Sequence, residues 1–233
     1  MIVRYAGGES GARAAARAGA TVVVVDAFRA STTIAVLVSK GGCVVPVASI
    51  ADAYSYVGAD FRAGERGSAK VAGFDFGNSP TEIAEAEVRA GSTIVLTTTN
   101  GTRMIEAARG APAILAGAFV NASALADELA AETYGLHVVL VGCGWEGRRA
   151  SEDEAAAGAI LHRLEGLGAE LDERARRVVA AYLSRPVKLL RINRAARRLK
   201  RLGYGRDLDF CLADDIVPVV PHLRRGAFVE GRS

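Results

Sequence analysis

The chain has 233 residues, of which 50% are hydrophobic and 24% are charged, and its net charge is +3. This composition excludes a disordered chain, and the length is enough for one large α/β domain. The longest β-branched run, Thr21–Val25, is too short to cross a bilayer, and residues 1–20 lack the apolar core of a signal peptide. We therefore expect a soluble protein of the cytoplasm.

The pattern of apolar residues predicts strands that alternate with helices. Five short, continuous apolar runs predict strands at Thr21–Asp26, Cys43–Ala48, Thr93–Thr98, Ala113–Ala118 and His137–Cys143. Longer amphipathic segments predict helices at Ser31–Lys40, Ala51–Ala59, Pro80–Ala90, Thr102–Arg109, Ala122–Thr133 and Glu152–Leu167. Continuous runs are typical of parallel strands covered on both faces. The sequence thus predicts an α/β fold, a layered α/β/α structure with a mostly parallel sheet.

Beyond Gly168 the pattern becomes helical. It predicts helices at about Glu170–Ser184 and Val187–Leu202, and an apolar segment, Ile216–Val220, that returns to the sheet. We interpret residues 168–215 as a helical C-terminal elaboration of a single domain covering residues 1–233. A domain boundary near Leu167 is the alternative.

The cysteines and histidines are too scattered to form a zinc site. They lie far apart and include no CxxC pair: Cys43, Cys143, Cys211, His137, His162 and His222. Each histidine is interpreted as structural. A metal in this protein would therefore be held by carboxylates, which favours Mg²⁺ over Zn²⁺.

Polar residues concentrate in five loops that precede helices. These loops cover residues 26–33, 73–80, 97–103, 119–123 and 142–154. In open parallel sheets ligands bind beyond the carboxyl ends of the strands, and helix N-termini attract anions. The loops contain both arginines and carboxylates: Arg29, Arg103, Arg148, Arg149, Asp26, Asp75, Glu146, Glu152 and Asp153. Arginine binds phosphate or sulfonate well, and the carboxylates could hold Mg²⁺, so a phosphate ester is the expected ligand.

Each loop also has a purely structural interpretation. Ser79-Pro80-Thr81-Glu82 and Ser151-Glu152-Asp153-Glu154 have the pattern of a capping box, and Asn100-Gly101 that of a turn. Other catalytic classes fit poorly, since the chain lacks a P-loop and the GxGxxG and GxSxG motifs. Asp26 ends a strand as in the haloacid dehalogenase type of phosphatase, but Phe28 stands where that type has a second Asp.

Six segments, in order, carry a resemblance to a known family. They are Asp26–Thr33, Gly64–Arg66, Gly73–Pro80, Thr97–Arg103, Gly117–Ser123 and Gly147–Asp153. Together they resemble the 2-phosphosulfolactate phosphatases of coenzyme M biosynthesis, and the strings TTTNGT and GFDFGNSP are long enough to make chance a poor explanation. The match covers residues 22–158, with a less specific likeness at 209–218. Trp145-Glu146, before Gly147, is not an expected fixed feature of the family.

The resemblance implies a reaction and a fold. The reaction is the Mg²⁺-dependent hydrolysis of 2-phospho-3-sulfolactate to 3-sulfolactate and phosphate, on an α/β fold peculiar to the family. That substrate carries phosphate, carboxylate and sulfonate groups. Several arginines and several helix N-termini would suit three anionic groups.

We assign hypothetical roles to the loop residues. The catalytic candidates are Asp26, Arg29, Arg103 and Asp153, and the metal ligand candidates are Asp26, Glu152, Asp153 and Asp75. Asp26 would be either a Mg²⁺ ligand or the nucleophile, and the missing second Asp favours the ligand. The substrate-binding candidates are Asn78, Ser79, Thr97, Thr98, Thr99, Asn100, Gly101, Thr102, Asn121, Arg148 and Ser151.

The segment Arg174–Arg206 raises a different hypothesis, since it has twelve basic residues and no acidic one. Basic residues recur at helical spacing, which could bind nucleic acid: Lys188, Arg191, Arg194, Arg198 and Arg201. Aromatic residues are missing between Leu183 and Gly203, which weakens that interpretation. The favoured interpretation is that this basic face is solvated, or that a partner subunit in a homo-oligomer balances its charge.

A third hypothesis keeps the fold and changes the substrate, which would then be another small phosphorylated hydroxy acid.

Overall fold

A computed structural model describes residues 1–131 and 133–231, and the strands of this part form one eleven-stranded sheet. The strands are β1 (Ile2–Gly7), β2 (Thr21–Val25), β3 (Cys43–Pro46), β4 (Phe61–Arg66), β5 (Ala69–Lys70), β6 (Thr93–Thr97), β7 (Ile114–Gly117), β8 (His137–Gly142), β9 (Glu170–Leu171), β10 (Pro221–Arg224) and β11 (Ala227–Glu230).

Helices lie between most of these strands. The α-helices are α1 (Gly8–Arg17), α2 (Ala30–Ser39), α3 (Ile50–Ser55), α4 (Pro80–Glu85), α5 (Gly101–Ala107), α6 (Ala122–Ala130), α7 (Ser151–Gly166), α8 (Glu173–Ser184), α9 (Arg194–Arg201) and α10 (Gly205–Cys211). Short 3-10 helices cover Phe119–Asn121 and Val187–Ile192. No helix in the described residues is both long and apolar enough to span a membrane.

The sheet joins two groups of parallel strands through an antiparallel hairpin. Its order is β5-β4-β6-β3-β11-β10-β7-β2-β8-β1-β9. Strands β4, β6 and β3 are mutually parallel, as are β7, β2, β8, β1 and β9. The hairpin of β10 and β11 pairs antiparallel with β7 on one side and with β3 on the other. The prediction of an α/β fold with a mostly parallel sheet is confirmed.

Helix α2 lies at the centre of the larger core. Its sequence, ASTTIAVLVS, has few polar groups beyond small hydroxyls, and every residue from Ala30 to Val38 is buried. A helix that is apolar on all sides must be covered on all sides. Its side chains pack with those of β2, β3, β6 and β7, which come from both parallel groups. The loop at the start of α2 is therefore held inside the protein.

All five predicted strands are confirmed, with small shifts at their ends, but several helices end earlier than predicted. The helices predicted at Ala51–Ala59 and Pro80–Ala90 stop at Ser55 and Glu85. The helix predicted at Ala122–Thr133 stops at Ala130, and Glu132 lies outside the described residues. The elements β1, α1, β4, β5 and β9 were not predicted, because their sequences are short or rich in Gly, Ala and Arg.

The C-terminal predictions are partly wrong. The segment Ile216–Val220 is irregular, and the chain returns to the sheet only at β10 and β11. These two strands are joined by Arg225 and Gly226, which both have positive φ, as a two-residue type I′ hairpin turn requires. The helix predicted at Val187–Leu202 is also broken, since Asn193 caps a new helix by accepting the Ala196 N–H at 2.8 Å.

Neither predicted capping box forms completely. In the first, the Glu82 side chain accepts the Gly77 N–H instead of the Ser79 N–H. Ser79 is the N-cap of α4, its hydroxyl accepts the Glu82 N–H at 3.2 Å, and Pro80 is the first helical residue. The box predicted at Ser151 is wrong, because Ser151 is the first residue of α7 and Ala150 occupies the N-cap position. The Ser151 side chain therefore does not cap α7, and it contacts Asn193 instead.

Candidate functional site

Two aspartates lie together where the adjacent strands β2 and β8 end. Val25 pairs with Gly142 in the sheet, Asp26 follows β2, and Asp153 lies in the first turn of α7. The Oδ1 atom of Asp153 accepts the Ala27 N–H at 2.9 Å, and its Oδ2 atom accepts the Gly144 N–H at 2.8 Å. Asp153 thus joins the ends of the two strands.

Two glutamates complete a group of four buried carboxylates, which we call the acidic cluster: Asp26, Glu65, Glu152 and Asp153. The carboxylate of Glu65, on β4, accepts the Thr99 N–H at 2.6 Å and the Ser68 N–H at 2.6 Å. The Oε2 atom of Glu152 accepts the Asn193 Nδ2 hydrogen at 2.8 Å. The cluster therefore draws residues from both parallel groups of the sheet.

Burial makes the ionised cluster unfavourable. It raises the pKa of Asp26 from 3.8 to about 7, with Glu65 and Glu152 adding to the effect. Burial, together with Asp26 and Glu152, holds the pKa of Asp153 well above its usual range. The pKa of Glu152 is raised too, chiefly by burial. Clustered carboxylates of this kind have a strong tendency to bind a proton or a cation.

The N-terminus of α5 comes so close to the cluster that only glycine fits at its first position. A Cβ atom on Gly101 would lie 2.6 Å from the Cβ of Ala30 and 3.1 Å from the Oδ2 atom of Asp26. Contacts this short require the backbone to move. Gly101, predicted to bind substrate, therefore has the additional role of allowing α5 to reach Asp26.

A cavity of about 370 Å³ opens beside Asp153 and is lined by four arginines and by three further acidic residues, Glu9, Glu146 and Glu154. Asn100 also lines it, at the end of α5. The arginines that line the cavity are exposed: Arg103, Arg148, Arg149 and Arg174. Arg149 pairs with Glu154, and the guanidinium of Arg174 lies 5.3 Å from the ring centroid of Tyr5. The other three arginines form no ion pair within the described residues, so they can bind a small anionic ligand.

Arg29 is held in the interior instead of lining this cavity. Its Nη1 atom lies 2.6 Å from the Oδ2 atom of Asp207, and its Nη2 atom donates to the Ser68 carbonyl at 2.8 Å. The guanidinium also stacks 4.3 Å from the ring centroid of Tyr204, and the side chain is only 2% exposed. The structure therefore commits Arg29 to joining the loop after β2 to α10.

Asp207 connects this arginine to the start of α4. Its Oδ1 atom accepts the Ser79 hydroxyl at 2.7 Å and the Thr81 hydroxyl at 2.5 Å. Ser79, predicted to bind substrate, is thus bonded within the protein. Its neighbour Asn78 is buried, and its Oδ1 atom accepts no hydrogen bond within the described residues.

The predicted threonines lie at the cluster, but their hydroxyls are bonded to the protein. The Thr97 hydroxyl accepts from Arg66 at 2.9 Å, and that of Thr99 donates to Glu65 at 3.1 Å. The Thr102 hydroxyl donates to the Thr98 carbonyl at 2.9 Å, and the Thr98 hydroxyl accepts the Thr102 N–H. These residues fix the shape of the loop between β6 and α5.

Other predicted residues lie apart from the cavity. Asn121 is fully buried and donates to the Val219 carbonyl at 3.0 Å. Asp75 is exposed, and its carboxylate accepts the Arg62 N–H at 2.7 Å. Ser151 lies beside Glu152, where its hydroxyl accepts from Asn193 at 3.1 Å. Of these three residues, only Ser151 contacts a member of the acidic cluster.

Several residues of the region were missed by sequence reasoning. Glu65 lies within one of the matching segments, but its strand was not predicted, so its place beside Asp26 could not be inferred. Asp207, Asn193 and Arg198 come from the C-terminal helices, whose packing leaves no local sequence signal. The only sequence signal for them was the charge of the segment Arg174–Arg206, which has twelve basic residues and no acidic one.

The cysteines and histidines take no part in the cluster as nucleophiles or ligands. Burial and the nearby Asp26 and Asp153 raise the pKa of the Cys143 thiol well above its usual value, so it is not a thiolate nucleophile. His222 is buried against Glu128, while His137 and His162 are exposed. Within residues 1–131 and 133–231, no three acidic, His or Cys side chains converge to hold a metal by themselves.

The first prediction concerns pH and stability without metal. The pKa of Asp26 is higher in the folded protein, about 7, than its ordinary 3.8, so the folded state holds the proton more tightly. This contribution to stability is present below pH 3.8 and is lost as the pH rises towards 7. In EDTA, Asp26→Asn should therefore gain stability relative to wild type as pH rises, by at most about 1.4 kcal/mol per pH unit.

Urea unfolding at several pH values between 4.5 and 8 measures this difference. Asp127→Asn, on the exposed face of α6, is the matched control and should follow wild type. Parallel pH profiles for wild type and Asp26→Asn would contradict the raised pKa.

The second prediction concerns the buried ion pair of Arg29 and Asp207. Asp207→Asn leaves the guanidinium buried without its charge partner, which should lower the free energy of unfolding by about 3–5 kcal/mol. Asp209→Asn is the control, because Asp209 pairs with Arg191 at the surface and should cost under about 1 kcal/mol. Equal losses in urea unfolding would show that the buried pair has no special structural role.

Comparison with known proteins places the chain in a family. A sequence profile of 2-phosphosulpholactate phosphatase matches residues 10–226. A protein from Carboxydothermus hydrogenoformans, named probable 2-phosphosulfolactate phosphatase, is 38% identical over 218 residues, or 89% of each chain. Proteins with the same name from Thermotoga petrophila and Synechococcus sp. are 37% and 39% identical, covering 90% and 85% of this chain and 91% and 87% of their own.

The profile match spans nearly the whole chain and includes the acidic cluster, most residues that line the cavity and all three C-terminal helices α8, α9 and α10. These matches agree with the resemblance carried by the six loop segments. The chain therefore belongs to the 2-phosphosulfolactate phosphatase family.

Proposed function

We propose that this protein is a Mg²⁺-dependent phosphatase that hydrolyses 2-phospho-3-sulfolactate to 3-sulfolactate and phosphate. The observation that carries the proposal is a cavity of about 370 Å³ that is lined by four arginines and by Asp153 of the buried acidic cluster. The arginines that line the cavity would bind a polyanionic ester, and carboxylates of the acidic cluster would bind a divalent cation. The names of the relatives point to the same activity.

The donor atoms of the cluster fit Mg²⁺. They are carboxylate oxygens, which Mg²⁺ prefers, and burial, together with the neighbouring carboxylates, raises the pKa of both Asp26 and Asp153, so a bound cation would offset an unfavourable burial of charge. Mg²⁺ commonly takes one or two carboxylates and completes its shell with water and substrate oxygens, so three converging side chains are not required. We propose Asp26 and Asp153 as its ligands, with Glu152 nearby. Once bound, the ion would neutralise charge on the phosphoryl oxygens.

The chain's own residues would bind and orient the ester. Arg103 and Arg148 would bind the phosphoryl oxygens, and Asn100 would position them at the end of α5. Glu152 would orient the attacking water. The water oxygen forms a bond to phosphorus, the ester P–O bond breaks, and the proton that the attacking water loses ends on the alcohol oxygen that leaves. Catalysis of this kind depends mainly on positioning and charge.

Arg29 would act through position and not by touching the substrate. Its guanidinium is bonded to Asp207 and Ser68, so it would fix the loop that carries Asp26. This differs from the sequence-based prediction, which placed Arg29 among the catalytic candidates. Another small phosphorylated hydroxy acid would fit the same machinery, so substrates of that type belong in the test.

The third prediction is the activity itself. The protein, stripped of metal and then assayed for phosphate release, should hydrolyse racemic 2-phosphosulfolactate with Mg²⁺ and not with EDTA. Lactate- and malate-type phosphate esters should react more slowly. Gly101→Ala should reduce kcat/KM by about 10²-fold, because displacing α5 moves Asn100 and Arg103 relative to Asp26.

Gly166→Ala is the matched control, since a Cβ at Gly166 meets nothing within 4 Å, and it should retain activity. Faster hydrolysis of a lactate- or malate-type ester would retain the phosphatase and change the substrate. No release from any ester by folded protein, with or without Mg²⁺, would refute the proposed function.

A further inference from the structure

A second, smaller cavity lies beside Glu152, which does not line the larger one. It measures about 130 Å³ and is enclosed by the loop before α7 and the N-terminal part of α9. Its lining is Trp145, Arg148, Arg149, Ala150, Ser151, Glu152, Asn193, Arg194, Ala195 and Arg198. Four arginines face one glutamate there, so the lining is strongly cationic. The basic C-terminal segment thus reaches the neighbourhood of the acidic cluster.

Arg198 is held in a fixed position at this cavity. Its Cζ atom lies 3.6 Å from the ring centroid of Trp145, and its Nε atom donates to the Ser68 hydroxyl at 2.9 Å. The side chain is half-buried. Among the described residues, its two terminal nitrogens donate no hydrogen bond and form no ion pair. Arg198 therefore offers two positioned donor nitrogens to a ligand.

Asn193 ties α9 to the acidic cluster. Its Oδ1 atom caps α9, while its Nδ2 atom donates to Glu152 at 2.8 Å and to the Ser151 hydroxyl at 3.1 Å. The position of α9, and with it that of Arg198, is therefore fixed relative to the carboxylates. An anion bound by Arg198 would have a defined place relative to the reacting group.

The two cavities adjoin along the loop. Both are lined by residues 148–150. The larger cavity is also lined by Asp153, and the smaller one by the neighbouring residue Glu152. The larger cavity contains Asp153, Asn100 and Arg103, the residues proposed to act on the phosphoryl group. The smaller one has room for one compact anionic group. A ligand with two strong anionic groups a few atoms apart could occupy both.

We propose that the smaller cavity binds the sulfonate of the substrate and that Arg198 is the residue that determines this specificity. This inference rests on the proposed function and deepens it. The fork of donors on arginine matches the oxygens of a sulfonate, and Trp145 holds the guanidinium plane in place. The basic segment Arg174–Arg206 would then contribute Arg198 to the site. Other arginines of the segment form ion pairs elsewhere, Arg191 with Asp209 and Arg206 with Glu85.

The test compares two esters that differ in one group. 2-Phosphosulfolactate and 2-phospholactate share the phosphoryl ester and carboxylate, but the second has a hydrogen in place of the sulfonate. For Arg198→Met, kcat/KM should fall about 10- to 100-fold on the sulfonate ester and change little on phospholactate. Arg197→Met is the matched control, since Arg197 is exposed on the same helix and does not line the cavity.

A binding measurement tests the same proposal without catalysis. Trp145 is the only tryptophan of the chain, so its fluorescence reports directly on this cavity. Titration with 3-sulfolactate should change the emission of wild type and of Arg197→Met, and the response should be lost in Arg198→Met. Inorganic phosphate at the same concentration should give a weaker response. Arg198→Lys, which keeps the charge but lacks the fork, should be intermediate and serves if Arg198→Met does not fold.

The outcomes separate the two proposals. Equal losses on both esters, no loss on either, or an unchanged fluorescence titration in Arg198→Met would overturn the role of Arg198 in sulfonate binding. A wild-type enzyme without preference between the esters would do the same, while the phosphatase activity stood. If wild type releases phosphate from neither ester, the proposed function fails, and the fluorescence titration alone decides whether the cavity binds the sulfonate.

Discussion

The structure depends on burying four carboxylates within electrostatic reach of one another. Asp26, Glu65, Glu152 and Asp153 are each less than a tenth exposed, and burial raises the pKa of three of them. Such a group is costly in a folded protein unless a cation neutralises it. Backbone N–H groups offset part of the cost, because Asp153 accepts from Ala27 and Gly144. These hydrogen bonds offset only part of the free energy that burial of the charges costs, and the remainder is the physical reason to expect a divalent cation here.

The remaining architecture places this group and limits access to it. Helix α2, buried on every face, fixes the loop that carries Asp26, and the ion pair of Arg29 with Asp207 fastens that loop to α4 and α10. Because Gly101 lacks a side chain, the end of β6 can approach the end of β2. The C-terminal helices then cover one side. Their arginines lie beside carboxylates, so the basic segment and the acidic remainder of the chain meet at one place.

The sequence predicts the strands that form the centre of the sheet because they are continuous β-branched runs that few other structures would accommodate. It also predicts Asp26 and Asp153 as neighbours, since both follow strands. It does not predict the role of Glu65, whose strand is rich in polar and small residues, nor that of Asp207, which lies in the short helix α10. Arg29 shows the limit most clearly. Its position in a conspicuous loop suggests contact with phosphate, but only tertiary packing determines that the guanidinium turns inward to Asp207.

The central claim is that the acidic cluster is a binding site for a divalent cation that stabilises the folded protein. The most direct measurement is the Tm of metal-free protein at pH 8, at constant ionic strength, as Mg²⁺ is added. A cation that binds only the folded state raises Tm in a saturable manner. The account predicts a saturable rise for wild type that is absent from Asp153→Asn. An unchanged Tm, or the same rise in both proteins, would contradict it.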